Sequence, residues 1–589
     1  MKNKNSQTVA LLSKRIEVAV NNKKADLVIK NAKYLNVFTE KFEEGDIAVK
    51  DGYIVGVGDY SGIKTVDAKG KYIVPSFIDG HIHLESAIVS PANFRDVVIP
   101  HGTGAVIVDP QEIANVAGTE GIKFILDTTE NLDLDVYVMI SSCVPATNFD
   151  EAGAKLDAKK IKPFYKLDRV LGLAEFMNYH GICLADKGCL EKCVDAINEG
   201  KLIDGHAPSL NGKYLDAYVS SYISTDHECV NAYEGIEKLS KGQWIEIRQG
   251  TACHDLKALM PLLNEPYYKR CLFSTDDKHP GDIIKYGHID YIIRKSIEWG
   301  ADPIKAYIVG SYNAAVHYGL KFQGAIAPGY VADLVVLDDI NKVKIDSCYK
   351  RGVLVSKDGK PLTYYSKKEK ISKAKYKKVY NSFNLKKLSG EDFKIKQKGK
   401  FQNAIEIIEG GIVTKLFVNE INVGNSEEFG VDLDKDIIKL AVVERHKNSG
   451  HIGLGFIKKY GLKKGAVASS VAHDSHNIVV AGANSADMAL AANTIRKNKG
   501  GLAVCLDGKV LGEIAFEIAG LMTSKDPKFV EDTMSKMKDV CYEKLGVNKN
   551  IDPFMTLAFM CLPVIPDVKL STFGLVDVNN QEIVESVFL

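Results

Sequence analysis

A chain of 589 residues has room for about four domains of ~150 residues, or fewer where one of them is a large barrel. At 46% hydrophobic and 26% charged, its composition is that of an ordinary globular protein, which excludes disorder over most of its length. Lys and Arg number 76 against 75 Asp and Glu, a net charge of +1, so nothing supports binding to nucleic acid through bulk charge and no such partner is expected.

The N-terminus, MKNKNSQTVALLSKRIEVAV, is basic but lacks the apolar core and cleavage site of a signal peptide. It reads as a short amphipathic helix in an N-terminal extension, residues 1–26. The next stretch, 27–75, shows period-two apolar alternation with turns at Asp51-Gly52 and Lys69-Gly70, the pattern of a small β module. From Tyr72 the pattern changes. Eight short apolar runs alternate with helix-like stretches: YIVPSFIDGHIH, GAVIVDP, DVYVMISS, VLGLAEF, LIDGHAP, SYISTDHE, WIEIRQG and CLFSTDD. Eight strand–helix units in about 250 residues predict a (β/α)8 TIM-like barrel over 76–320. Residues 321–365 return to β character and are expected to join 27–75 in one composite β-sandwich flanking the barrel. The Lys-rich stretch 366–399 reads as a solvated basic linker. Residues 400–589 predict a separate α+β domain, so the fold class is α/β with an α+β appendage.

The longest apolar stretch, Met555–Pro566, is too short to span a bilayer and holds two prolines, so no membrane partner is expected. Eleven cysteines are scattered without paired CxxC spacing; an odd count without a secretion signal fits reduced thiols in the cytoplasm.

The chemistry sits where the apolar runs stop. In a barrel of this kind, side chains at the C-terminal strand ends converge. His81 and His83, at i and i+2 of the first run, share a face, and two imidazoles on one face form half a metal site. The bland alternative is a pair of capping histidines. Glu175 closes the fourth run, where a carboxylate is costly unless paired or bound to a cation. His206, His227 and Asp276 end the fifth, sixth and eighth runs. Each histidine alone is more often structural. Together these residues suffice for two metals sharing one bridge and are too many for one catalytic ion with an open position.

This pattern resembles the amidohydrolase superfamily, and the cassette GAIAPGYVADLVV at 324–336 is similar to the strand pair that ends the barrel in many of its members. Within the superfamily the resemblance is closest to the bacterial adenine deaminase family. It is carried by PSFIDGHIHLESAIVSP, PHGTGAVIVDPQEIANVAG, SSCVPATNFDEAG, LGLAEFMNYHGI, DGHAP, STDHE, IRQGTA and FSTDDKHP, and by VVERHKNSGHIGLGF and PFMTLAFMCLPVIPDVKLSTFGLVDV further on. Two residues depart from the family pattern: Ser76, where the family usually has Gly, and Gln111, where it more often has His.

The resemblance implies two divalent metal ions, with manganese favoured over iron or zinc. It implies one ion on His81, His83 and Asp276, the other on His206 and His227, with Glu175 as bridge. The implied reaction is hydrolytic deamination of adenine to hypoxanthine and ammonia, a purine-salvage step, with adenine and water as partners. Asp276 would move the proton from water to the leaving amine. Glu228 is the first candidate to protonate the ring, weighed against an orienting role for a metal histidine; Glu112 is the second. Ser142, Arg248 and Gln249 either contact the purine or support the loops. His473 and His476, with His446 and His451 upstream, are expected in a lid over the barrel mouth that contacts substrate, with a third metal site as the minor alternative. A homodimer or larger homo-oligomer is expected. Two other readings stay open: another binuclear amidohydrolase acting on a cyclic amide or N-acetyl sugar, or a catalytically inactive binding protein.

Overall fold

The computed structural model describes residues 8–367, 371–397, 399–421 and 428–589. Residues 1–7 of the expected extension and residues 368–370 and 398 of the Lys-rich stretch lie outside the described residues, as do residues 422–427 of the last domain.

The eight apolar runs form eight parallel strands: β1 (Phe77–Ile82), β2 (Thr103–Val108), β3 (Asp135–Ile140), β4 (Val170–Phe176), β5 (Leu202–Gly205), β6 (Thr225–Asp226), β7 (Trp244–Arg248) and β8 (Cys271–Ser274). They hydrogen-bond as two arcs, β1 to β5 and β6 to β8. The arcs close into a barrel at two seams. Ser224 N–H donates to the Ile203 carbonyl at 2.8 Å on one side, and Asp276 N–H donates to the His81 carbonyl at 2.9 Å on the other. Such strands are covered on both faces and read as continuous apolar runs; every residue of β2, for example, is buried. The barrel interior is filled by Ile78, Ile107, Met139, Ala174 and Leu272. Gly80 has a role in this packing, because a Cβ there would run into the Leu272 side chain.

Both chain flanks of the barrel build one β unit. Leu334–Leu337 pairs antiparallel with Tyr72–Pro75, and the sandwich expected from the sequence is hydrogen-bonded as a single continuous sheet of nine strands. The helix Val9–Ala19 packs its Val18 against this sheet. The unit is tied to the barrel by Lys350, a buried ammonium held by Asp333 at 2.5 Å, Asp135 at 2.7 Å and the Gly104 carbonyl at 2.9 Å.

The Lys-rich stretch connects barrel and C-terminal domain but is not simply solvated. Tyr376 is buried with its ring edge-on to Phe124 at 5.2 Å, Lys375 pairs with Asp127 at 2.5 Å, and Phe393 enters the core of the next domain. Aromatic residues interleaved among the lysines explain the difference: they dock while the lysine heads stay in water.

The C-terminal domain is a nine-stranded sheet covered by the helix Ser485–Asn498, with a second helix, Pro527–Val540, and a small three-stranded sheet. It sits on the barrel. Thr523 bridges to Val89 just after β1, and Asn93 donates to the Ser524 and Lys525 carbonyls at 3.2 and 3.0 Å. Among the described residues, no helix is long and apolar enough to cross a membrane.

Replacing Lys350 by Met strands two carboxylates in a buried site, so the variant is expected to lose about 3–5 kcal/mol of stability. Chemical denaturation of the variant beside the parent measures this loss.

Candidate active site

The C-terminal strand ends bring six side chains together. His81 is on β1 and His83 follows it, Glu175 is on β4, and His206, His227 and Asp276 follow β5, β6 and β8; all six are buried. Glu175 lies at the centre. Its Oε1 is 3.3 Å from His83 Nε2, while its Oε2 is 3.0 Å from His206 Nδ1 and 3.2 Å from His227 Nε2. Asp276 Oδ1 lies 3.4 Å from His83 Nε2 and 3.8 Å from His81 Nε2. The backbone of Asp276 is left-handed, with φ 55. That conformation costs a non-glycine residue about 1 kcal/mol or more and persists because the seam beside His81 fixes it.

The donor set fits a pair of divalent cations. His81 Nε2 is buried without a hydrogen-bond partner among the described residues, and His81, His83 and Glu175 form one close group while Glu175, His206 and His227 form another. Imidazole and carboxylate donors without thiolate suit manganese, iron or zinc. The electrostatics agree. Burial opposes the charge on Glu175, yet hydrogen bonds from His206, His227 and His83 hold its carboxyl well below the usual range. Burial and the neighbouring His227 and His83 press His81 down to about 3.

Arg248, at the end of β7, is wrapped by carboxylates. Its Nη1 donates to Glu228 Oε1 at 2.5 Å and to Asp276 Oδ2 at 2.8 Å, its Nη2 to Glu228 Oε2 at 3.1 Å, and its Nε to Asp255 at 3.0 Å. All three nitrogens of Arg248 meet carboxylates. Burial opposes ionisation of Asp276, but Arg248 and the imidazoles bring its carboxyl down to about 2. Glu228 is likewise held well below its usual range, with Arg248 outweighing burial, and its Oε1 faces His227 Nε2 at 3.4 Å. Glu228 therefore stands between Arg248 and the two imidazoles of His227 and His206, a position open to either of the roles expected for it. Ser142 donates to the Glu175 carbonyl at 2.5 Å and steadies the end of β4. Gln249 turns to His254, with Nε2 2.8 Å from its Nδ1.

The C-terminal domain reaches this mouth with one loop. Glu112, in the first turn of the helix Gln111–Ala117, meets His473 Nδ1 through Oε1 at 3.1 Å and hydrogen-bonds His476 Nε2 through Oε2. Both oxygens are therefore engaged by the other domain. His476 Nδ1 lies 3.2 Å from the Ala472 N–H. Glu112, His473 and His476 also bring their ligand atoms close enough together to share an ion. His473 stacks on Phe559 at 4.7 Å, and its Nε2 faces Asp277 at 3.7 Å. The loop is pinned from behind: Arg445 donates to the His476 carbonyl and His446 Nε2 sits 2.7 Å from the Ser475 carbonyl. Gln111 links the Cys143 carbonyl at 2.7 Å to Asp474 at 3.4 Å. His451 lies apart, half-exposed beside Glu151.

Sequence reasoning missed two acids. Glu246 and Asp204 sit inside the barrel one layer below Arg248 and His206, and both are fully buried. A signal was present: each interrupts an apolar run, in WIEIR and LIDG, two residues before the strand-end group.

Residues 72–367, half of the chain, match the amidohydrolase family, which defines the class to which this barrel and its mouth belong. Residues 411–582 match the adenine deaminase C-terminal domain. The chain is 45% identical over 569 residues to adenine deaminase of Clostridium acetobutylicum, covering 97% of this chain and 99% of that one. It is 44% identical to adenine deaminase 2 of Carboxydothermus hydrogenoformans and 43% identical to adenine deaminase of Geobacillus kaustophilus, each comparison covering 97% of this chain and 98% of the relative. The chain belongs to the adenine deaminase family.

Burial lowers the basicity of His473, but Glu112 and Asp277 outweigh it and raise its pKa from 6.5 to about 10. A raised folded-state pKa stabilises fully below the unfolded value and is lost as pH climbs through the folded one. Because burial raises Glu112 to about 7 and a protonated Glu112 no longer pairs with His473, the melting temperature of the parent is expected to exceed that of a His473→Gln variant most near neutral pH, with the gap narrowing as pH approaches 10. Thermal melts across that interval measure the trend.

Proposed function

We propose that this protein hydrolyses adenine to hypoxanthine and ammonia, using two divalent cations, manganese first among them. His81, His83 and Asp276 would hold one cation, His206 and His227 the other, with Glu175 between them. The observation that carries the reading is the division of labour at Glu175, whose Oε1 faces His83 at 3.3 Å while its Oε2 faces His206 and His227 at 3.0 and 3.2 Å. Cations bound there lower the pKa of water from 15.7 towards about 7, so that a nucleophile exists at neutral pH.

The chain's own groups do the rest. Asp276 is ionised and held by Arg248 through Oδ2 at 2.8 Å, which leaves Oδ1 turned to the histidines and the reacting centre. It is placed to take a proton from the attacking water and hand it to the amine. As the C6–O bond forms, the C6=N1 π pair moves onto N1; its return breaks the exocyclic C6–N bond, the proton from Asp276 lets the amine depart as ammonia, and the proton left on oxygen moves to the ring nitrogen to give hypoxanthine. Glu228 braces the imidazoles of His227 and His206 at 3.4 and 3.5 Å, and Arg248 keeps Glu228 and Asp276 apart in role but fixed in place. The loop of His473 and His476 covers the mouth and limits the entry of bulk water, which strengthens every charge interaction inside.

Metal-loaded protein incubated with adenine is expected to release ammonia, and adenosine is expected to be the poorer substrate. Preference for adenosine overturns the reading of a free-base pocket. Glu175→Gln is expected to lower both bound metal and turnover, and unchanged metal content with unchanged turnover sinks the bridge. Asp276→Asn is expected to reduce kcat by about 10²–10⁴-fold, measured by steady-state kinetics.

A further inference from the structure

The two nitrogens of His227 have different surroundings. Nε2 faces Glu175 Oε2 at 3.2 Å and Glu228 Oε1 at 3.4 Å, the side on which a cation is assigned. Nδ1 points the other way, into the barrel, and has no hydrogen-bond partner among the described residues. The charged atom it faces there is Glu246 Oε2, at 3.8 Å, and that oxygen is equally buried and unpartnered. A histidine that gives its Nε2 lone pair to a cation must carry its remaining proton on Nδ1, and a buried N–H needs an acceptor.

Glu246 is itself fixed from below. The Tyr318 hydroxyl lies 2.9 Å from Glu246 Oε1 and 3.0 Å from Asp204 Oδ2. One hydroxyl has one proton to donate, so it bonds one carboxyl and receives from, or stands beside, the other. Tyr318 belongs to the same buried cluster as Leu272 and Ala314 in the barrel interior, with Trp244 packed against it. His83 shows the same device with a backbone acceptor: its Nδ1 meets the Asp109 carbonyl at 3.1 Å, which turns Nε2 towards Glu175.

We propose that Glu246 is a positioning residue for the metal centre: it takes the Nδ1 proton of His227, fixing the tautomer and ring angle that aim Nε2 at the shared site, and Tyr318 and Asp204 hold it in place. The inference rests on the ligand assignment given under Proposed function. Groups behind a ligating imidazole typically govern metal affinity by about 10–100-fold. Glu246 touches no substrate atom in this scheme and acts only through His227.

The test is a metal titration of the full-length protein, using manganese as probe and bound metal as readout. Glu246→Leu removes the acceptor and is expected to weaken one of the two bound equivalents by about 10–100-fold while leaving the other within about threefold. Glu246→Gln keeps an acceptor oxygen of the same reach and is expected to restore the lost affinity, which a purely structural role for the negative charge would not do. Tyr318→Phe leaves the fold of the site intact should the leucine variant fail to fold, and is expected to weaken the same equivalent in the same direction. Parent-like titration of both Glu246→Leu and Tyr318→Phe overturns the proposal. His227→Asn serves as control: if it retains both equivalents, the ligand assignment itself fails, a result distinct from the failure of Glu246 alone.

Discussion

Everything at the barrel mouth is arranged around one buried carboxylate. Glu175 stands where four strand ends converge, and desolvation alone would force it to take up a proton. It stays ionised because three imidazoles address its oxygens from two sides. That demand propagates outward. The second nitrogen of each imidazole has its own surroundings: the Asp109 carbonyl meets His83 Nδ1 at 3.1 Å, and Glu246 faces His227 Nδ1 at 3.8 Å. Asp276, on the same cluster, needs a counter-charge, and Arg248 supplies it while also holding Glu228 and Asp255. The site is a set of mutual obligations in a medium where an unpaired charge is very costly.

The barrel exists to make this convergence rigid. Its strands are short, and β6 contributes only two residues, yet closure at the Ile203–Ser224 and His81–Asp276 seams fixes the relative height of every strand end. Asp276 illustrates the coupling of backbone and chemistry. The same backbone that completes the seam takes a left-handed turn and thereby directs its carboxylate at His83 and His81.

Much of this could be read before any coordinates. The apolar runs announce the strands because parallel strands covered on both faces hold few polar residues, so the residue that stops each run stands out. His81, His83, Glu175, His206, His227 and Asp276 were found that way. What escaped was whatever depends on contacts remote in sequence. Nothing local to Glu112 says that residues 361 and 364 positions away, His473 and His476, will occupy its two oxygens. Arg248 has the same history: a lone arginine after WIEI has no visible partner until Glu228, Asp255 and Asp276 fold around it. The lysine run misled for a simpler reason, since its charge density masks Tyr376, Tyr380 and Phe393, which do the docking.

The loop carrying His473 and His476 also has a bearing on how such a chain can be divided. Arg445 and His446 anchor it to its own sheet, while Glu112 grips it from the barrel. Separating the two halves at the Lys-rich stretch would leave Glu112 facing an uncapped opening with neither imidazole beside it. The catalytic half is thus no interchangeable module: its ceiling is manufactured by the other half, and any recombination of domains must carry that ceiling along or rebuild it.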